Sequence, residues 1–329
     1  MRMIHRIAGY ALLALVAAAP LAASAQSIEE RLAAVVKLRT SVPADARTAE
    51  GLGREREGSA IVIDQSGLVL TIGYLMVEAQ GAELQLQGGR TVAAQVVGYD
   101  HDSGFGLLRA LEPLRVKPVQ LGRSSTLAAR DPVLVASFGG AEGAQPAFVV
   151  ARRVFAGGWE YLIDDAIFTA PPHPAWSGAA LFDKDGKLVG VGSLIVGDAT
   201  GQGVQLPGNM FVPIDRLPPI LGDLIADGAP SGPRKPWLGM TTEEMRGRLF
   251  VTRVTPEGPA AKAGIRPGDI VLGVGGQPAS DLADLYRKVW ATGGAGARVP
   301  LNVLQGVAPR EIDIQSVDRL SHLRLKRTY

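Results

Sequence analysis

Short apolar runs bounded by turn residues divide most of this chain. The runs are rich in Val, Ile and Leu, and few stretches between them have the 3.6-residue period of an amphipathic helix. Short strands separated by turn residues are typical of a β-sandwich or a pair of β-barrels, so the sequence predicts a mainly β fold. The runs are Gly58–Ile63, Gly67–Thr71, Ala82–Gln87, Arg90–Gly98, Gly106–Arg109, Asp131–Ser137, Ala147–Val154, Trp159–Asp164, Leu188–Leu194 and Asn209–Pro213.

Composition sets wider limits on the fold and the function. The 329 residues include 41 Gly, 22 Pro and no Cys, and 47% are hydrophobic. Such a chain is globular, rich in turns, long enough for two or three domains, and held by packing without disulfides. Arg2 and Arg6 lie in a segment that we expect to be removed, which leaves 32 basic residues against 32 acidic ones. This neutral balance gives no support for nucleic-acid binding.

The first 25 residues have the pattern of a secretory signal peptide. A basic start precedes the apolar run Ile7–Ala19, and the small-x-small site Ala23-Ser24-Ala25 follows. An uncleaved membrane anchor is the alternative, but the run is shorter than the roughly 20 residues that span a bilayer. We therefore expect cleavage after Ala25, a periplasmic or secreted mature protein, and no membrane span in the mature chain.

Capping and turn signals suggest the domain boundaries. Ser27 and Glu30 form a capping-box pattern that predicts a helix through Arg39, which Pro43 ends. We predict six segments: a signal peptide (1–25), an N-terminal arm (26–50), a β domain (51–220), a Pro/Gly linker (221–235), a second module (236–317) and a basic tail (318–329).

The loop within Thr169–Gly192 places one serine, Ser177, in a tight turn before a hairpin. A serine hydroxyl is a weak nucleophile unless a base, a group that orients the base and an oxyanion hole accompany it. Whether Ser177 reacts therefore depends on what the rest of the chain brings to it.

The order of landmarks resembles that of HtrA/Deg-type periplasmic serine proteases over about residues 51–317. Glu57–Ile63 with Gly67–Thr71 resembles the opening hairpin of that family, and Asp183–Gly192 with Phe211–Ile214 resembles its closing hairpin. The resemblance implies a chymotrypsin-like, or trypsin-like, double β-barrel followed by a PDZ domain of the α+β class.

Two of the three catalytic positions of that family are replaced. Leu70–Met76 resembles the segment that carries the catalytic histidine, and it puts Tyr74 in the histidine position. Ser103–Arg109 resembles the segment that carries the acid, and it puts Gly104 in the acid position. Ser177 keeps the nucleophile position. A phenol with a pKa of about 10 cannot accept the serine proton near pH 7 as an imidazole can.

The oxyanion hole is altered as well. Ala175–Leu181 resembles the nucleophile motif GNSGGPL, and Ala175 replaces the glycine whose N–H is one of two donors to the hole. A Cβ at that position restricts the backbone angles that glycine permits, so we expect a collapsed hole.

Four other residues are candidate bases. His173 lies four residues before Ser177, and His101 lies near the vacated acid position. Lys184 and Lys187 could form a Ser–Lys dyad, but both lie in a hairpin turn that should point into water. We favour a structural role for Ser177 as a small turn residue beside glycine.

The second module resembles a PDZ domain. Trp237, Leu238, Gly239 and Met240 resemble the carboxylate-binding loop, whose N–H groups capture a peptide C-terminus. The run Glu257–Val271 is similar to the family's "SPA..AGL..GD.I" core. The segment from 281 to 290 has an N-capping Asp and helical apolar spacing, which predicts a helix beside the groove with Leu285 and Val289 lining the first side-chain pocket.

The sequence thus favours an exported pseudoprotease that acts in envelope protein quality control. It would bind polypeptide C-termini or unfolded segments through its PDZ groove, without a cofactor or a metal. The alternatives are an active serine endopeptidase that uses Ser177 with a non-standard base, and a periplasmic chaperone. Family members often form trimers, so the resemblance also implies a homo-oligomer.

Overall fold

The computed structural model describes residues 26–325, and the predicted signal peptide lies outside the described residues. The chain is mainly β, as predicted, and it forms two closed six-stranded barrels followed by a smaller sheet with one long helix. No helix within residues 26–325 is long and apolar enough to cross a membrane.

The first barrel contains six antiparallel strands in the order β1-β2-β3-β6-β5-β4. Its interior is filled by aliphatic side chains and by Phe105, all shielded from solvent. The strands are β1 (Val35–Ser41), β2 (Glu55–Val62), β3 (Leu68–Ile72), β4 (Gly81–Gln85), β5 (Thr91–Tyr99) and β6 (Phe105–Ala110).

The second barrel repeats this plan in the order β10-β11-β12-β9-β8-β7. Its two longest strands pair with each other from Phe148–Ala170 to Gly157–Tyr161, and the turn Gly158–Glu160 connects them. The strands are β7 (Pro132–Ala136), β8 (Ala144–Gly157), β9 (Tyr161–Ala170), β10 (Ala180–Phe182), β11 (Leu188–Val196) and β12 (Gly208–Pro213).

The C-terminal sheet has the order β13-β14-β15-β17-β18, and a two-residue strand pairs with β15. Its core is separate from those of the barrels, although one barrel residue, Leu162, belongs to it. The strands are β13 (Met240–Met245), β14 (Arg248–Val254), β15 (Ile270–Val274), β16 (Gln277–Pro278), β17 (Arg298–Gln305) and β18 (Ala308–Gln315).

Six α-helices occur in the described chain. They are α1 (Ile28–Ala33), α2 (Ala49–Leu52), α3 (Pro218–Asp227), α4 (Pro259–Lys262), α5 (Leu282–Ala291) and α6 (Arg319–His322). Helix α5 begins at the predicted N-cap, where the Asp281 side chain accepts a hydrogen bond from the Asp284 N–H. Helix α3 is capped at its C-terminus by Gly228, whose carbonyl accepts a hydrogen bond from the Tyr99 N–H, so α3 lies against β5 of the first barrel.

The predicted N-terminal arm was wrong in one respect. The capping box of Ser27 and Glu30 is present, but the helix ends at Ala33 and does not reach Arg39. Strand β1 follows directly, and it pairs with both β2 and β4 to close the first barrel. Burial of Val35, Val36 and Leu38 in the barrel stabilises the strand by more than the helix propensity of this segment stabilises a helix. The barrel therefore begins near residue 35, before the predicted boundary at 51.

Candidate functional site

Ser177 lies in the β9–β10 loop, at the junction of the two barrels. Its carbonyl accepts a hydrogen bond of 2.8 Å from the N–H of Ser59 on β2. Gly178 follows with φ +72°, and a Cβ there would lie 1.9 Å from the Ser59 carbonyl oxygen. The turn requires glycine at 178, and it is held in place by a strand of the other barrel.

Tyr74 contacts Ser177 from the first barrel. It lies in the 3₁₀ turn Gly73–Leu75 after β3, and its Oη is 2.8 Å from Ser177 Oγ. The same hydroxyl donates a hydrogen bond of 2.8 Å to the carbonyl of Ser193. Since a phenol has one proton, the serine must be the donor in the Tyr74–Ser177 bond. Ser177 therefore keeps its proton and gives only a hydrogen bond.

The electrostatic environment keeps Tyr74 neutral. Burial raises its pKa to about 12, although hydrogen bonds with Ser177 and Trp176 act in the other direction. Ionising a group with this pKa at pH 7 costs about 7 kcal/mol. The residue predicted at the histidine position is therefore a neutral phenol near pH 7.

Gly104, at the predicted acid position, has no side chain, and the structure leaves no space for one. Gly104 has φ +80°, a backbone conformation that side chains rarely adopt. A Cβ at Gly104 would lie 2.8 Å from the hydroxyl of Tyr161, a buried residue of β9. That hydroxyl donates a hydrogen bond of 2.8 Å to the carbonyl of Ser103. Tyr161 fills this region, and no local motif predicts the contact because the two residues are 57 positions apart.

The predicted oxyanion donor, the N–H of Ala175, already has an acceptor. The N–H of Ala175 donates a hydrogen bond of 3.1 Å to Nδ1 of His173. Asn209 holds the backbone of His173 from both sides, since its Oδ1 accepts from the His173 N–H and its amide donates to the carbonyl. Burial lowers the pKa of His173, and the backbone of Gly143 acts in the other direction. The imidazole of His173 therefore accepts the N–H that the sequence predicts for oxyanion binding.

The other candidate bases lie elsewhere. His101 is enclosed by Tyr99, the carbonyl of Glu160 and Arg319, where burial and the charge of Arg319 lower its pKa well below the ordinary value. Lys184 and Lys187 are exposed in the β10–β11 turn, and Lys184 pairs with the neighbouring Asp185.

The predicted carboxylate-binding loop holds a carboxyl group of the chain itself. The N–H of Leu238 donates to Glu160 Oε2 at 2.8 Å, and the N–H of Gly239 donates to Oε1 at 2.7 Å. The N–H of Met240 donates to the same Oε1 at 3.2 Å. Glu160 is buried, with 5% of its surface exposed. Burial raises its pKa to about 7, although these N–H donors and the positive charge of Arg319 act to lower it.

Helix α5, predicted to lie beside the groove, packs in one hydrophobic cluster with Leu238 and Met240 of the predicted loop. Leu285 and Val289 are buried, with 0% and 2% of their surfaces exposed. They share a hydrophobic cluster with Leu238 and with Leu162 of β9. Trp237 is buried as well, and its ring lies 4.8 Å from that of His322 in α6. The contact between this loop and Glu160 was missed, because the sequence predicted Glu160 inside a strand and not in a turn.

Two joined six-stranded barrels with a serine at their junction, followed by a separate small sheet with a helix, have the architecture of a trypsin-like peptidase domain with a PDZ domain. Residues 58–191 match the family model of the trypsin-like peptidase domain, and residues 236–315 match that of the PDZ domain.

Curated relatives and a solved structure agree with this class. The periplasmic pH-dependent serine endoprotease DegQ of Escherichia coli is 27% identical across 90% of this chain and 70% of its own. The putative serine protease HhoA of Synechocystis is 30% identical across 79% of this chain and 70% of its own. A structure of the HtrA-type protease AlgW with a decapeptide has a TM-score of 0.53 and 23% identity, covering 92% of this chain and 99% of that one. The chain belongs to the HtrA/Deg family of serine proteases and their homologues.

Proposed function

We propose that this protein is an exported HtrA homologue without proteolytic activity that acts through its PDZ groove. It would bind polypeptide C-termini or unfolded segments in envelope protein quality control, as a homo-oligomer such as a trimer. The observation that carries the inactivity is the hydrogen bonding of Tyr74, whose only proton goes to the Ser193 carbonyl while Ser177 keeps its own.

Three further features support the loss of activity. Gly104 offers no acid, the N–H of Ala175 is bound to His173, and burial of Tyr74 opposes its ionisation. Base, orienting group and oxyanion donor are the three parts that activate a serine. Their joint loss favours a binding function over the alternative of an endopeptidase with a non-standard base.

A serine-directed fluorophosphonate probe tests this proposal, because it labels only an activated serine. We expect no labelling of the wild-type protein above the level of Ser177→Ala, and no hydrolysis of an unfolded protein substrate by either. Trypsin serves as the positive control for probe and substrate. Labelling or cleavage that disappears in Ser177→Ala would establish an active endopeptidase and end the pseudoprotease proposal.

The binding function has its own test. Peptides that end in an apolar residue should bind, and amidation of the C-terminus should weaken them by about 1.5–3 kcal/mol through the loss of a charge-assisted contact. Fluorescence anisotropy with the free-acid and the amidated form of one peptide measures this difference. Equal affinities would argue for a chaperone that binds by another surface.

A further inference from the structure

The β8–β9 turn of the second barrel enters the groove of the PDZ domain. The turn consists of Gly158, Trp159 and Glu160, and Glu160 has φ +62°. Few residues other than glycine adopt this conformation, and contacts must hold it. Those contacts are made with the carboxylate loop, with β13 and with α5.

The carboxyl group of Glu160 makes the contacts that a peptide C-terminus would make. Both of its oxygens accept hydrogen bonds from the N–H groups of 238, 239 and 240, at 2.8, 2.7 and 3.2 Å. Backbone N–H groups in such a loop are the means by which PDZ domains capture a terminal carboxylate. An additional carboxylate cannot occupy the same donors at the same time.

The backbone of the turn also follows the course of a ligand. The N–H of Thr242 on β13 donates to the carbonyl of Gly158 at 2.9 Å, as it would to a peptide added beside that strand. A Cβ on Gly158 would lie 2.7 Å from the Thr242 carbonyl oxygen, so the close approach depends on glycine.

Helix α5 closes the opposite side of the groove around the turn. Tyr286 donates its hydroxyl proton to the carbonyl of Gly157 at 2.7 Å and accepts from the N–H of Glu160 at 3.1 Å. Leu162, two residues beyond Glu160, packs in the cluster that contains Leu285 and Val289. The Glu160 carboxyl group, the Gly158 backbone and the Leu162 side chain therefore each contact the part of the domain that would contact the same part of a bound peptide.

We propose that the β8–β9 turn is an intramolecular ligand of the PDZ groove, and that an external polypeptide C-terminus binds only by displacing Glu160. The proposal rests on the peptide binding put forward above and adds the competitor that limits it. It also links the two domains, because a bound C-terminus releases the tip of two strands of the second barrel.

Competition by the β8–β9 turn sets the expected change in peptide affinity. A tethered ligand acts at an effective concentration on the order of millimolar. If the turn occupies the groove for about nine-tenths of the time, the apparent Kd of an external peptide is about tenfold above its intrinsic value. Removing the contact should therefore raise peptide affinity by about tenfold or more.

Two variants loosen the turn in different ways, and a third is the control. Glu160→Gln replaces one acceptor oxygen with an NH₂ group, which leaves a loop N–H without an acceptor. Gly158→Ala keeps the carboxyl group but adds a methyl against the Thr242 carbonyl. Asp164→Asn makes the same charge change on the same hairpin, where Asp164 forms an exposed ion pair of 2.6 Å with Arg287. Exposed pairs of this kind contribute little.

Amide hydrogen exchange of the full mature chain without peptide measures the contact directly. The amides of 238–240 should exchange slowly in wild type and Asp164→Asn, and faster in Glu160→Gln and Gly158→Ala. Thermal unfolding of each variant confirms that it is folded. Slow exchange in both folded turn variants would overturn the proposal.

Peptide binding then separates this proposal from the one that it rests on. The probe is a fluorescein-labelled octapeptide that ends in Val with a free carboxylate, and we expect binding about tenfold tighter to the two turn variants than to wild type. Equal affinity for all variants would overturn displacement. Faster exchange with no binding to any variant would support the docked turn and overturn the proposed peptide-binding function.

Discussion

Restoring the acid at Gly104 should fail for a steric reason before any catalytic one. An aspartate there must adopt φ +80° and place its Cβ 2.8 Å from the Tyr161 hydroxyl. A left-handed backbone at a residue other than glycine costs about 1–3 kcal/mol. Moving Tyr161 also breaks its 2.8 Å bond to the Ser103 carbonyl, and a buried polar group left without a partner costs about 1–3 kcal/mol. The expected destabilisation by Gly104→Asp is about 2–6 kcal/mol.

Urea unfolding of the wild type and three variants measures the steric part of this cost. Gly104→Ala carries the Cβ without the carboxylate, and Tyr161→Phe removes the hydroxyl that the Cβ would meet. The double variant Gly104→Ala/Tyr161→Phe should be less destabilised than the sum of the single variants, because the steric conflict is removed once. Additive effects would show that Tyr161 does not close the acid position.

The same reasoning predicts the activity of variants that restore the family's residues at 74, 104 and 175. Loss of triad members in an active serine protease lowers turnover by about 10⁴ to 10⁶. Tyr74→His with Gly104→Asp should recover little of this, because the N–H of Ala175 remains bound to His173. Adding Ala175→Gly should be necessary before the fluorophosphonate probe labels Ser177. Strong labelling of the double revertant would refute the argument that the oxyanion hole is lost.

Three further outcomes are expected. Gly178→Ala should lower the free energy of unfolding by at least about 2 kcal/mol, since its Cβ would meet the Ser59 carbonyl at 1.9 Å; a stable variant in urea unfolding would contradict the fixed turn. Tyr74→Phe should cost about 1 kcal/mol in the same assay and leave Ser177 unlabelled by the probe, and labelling would show that the phenol had restrained the serine.

The third outcome concerns pH. Burial raises the pKa of Glu160 from 4.5 to about 7, so the docked turn is favoured at low pH and this contribution is lost as pH rises through about 7. The ratio of the wild-type peptide Kd to that of Glu160→Gln should fall between about pH 5 and pH 8. The ratio cancels the opposite effect of His101, whose pKa is lowered, and a constant ratio would rule out proton-linked docking.

Much of the architecture was predictable because it depends on local pattern. Short apolar runs bounded by turn residues indicated the strands of the barrels, and most of the observed barrel strands agree with these runs within a few residues. The three-residue strand β10 was missed because three residues carry too little periodicity. Strand β1 was taken for a helix because capping signals at Ser27 describe only where a helix begins, and the partners β2 and β4 lie far along the chain.

The sequence by itself determined the mainly β class of the chain, and its local motifs predict Tyr74, Gly104 and Ser177 at the histidine, acid and serine positions of the barrel domain. Only the tertiary structure decided what those residues contact. The Tyr161 hydroxyl meets Gly104, His173 takes the N–H of Ala175, and Glu160 fills the carboxylate loop of a domain about 80 residues away. The contacts of Tyr161 and Glu160 join segments that are distant in sequence, and the short-range bond of His173 depends on Asn209, 36 residues further on, which holds the His173 backbone. Packing within and between the domains forms these contacts, and no local pattern encodes it.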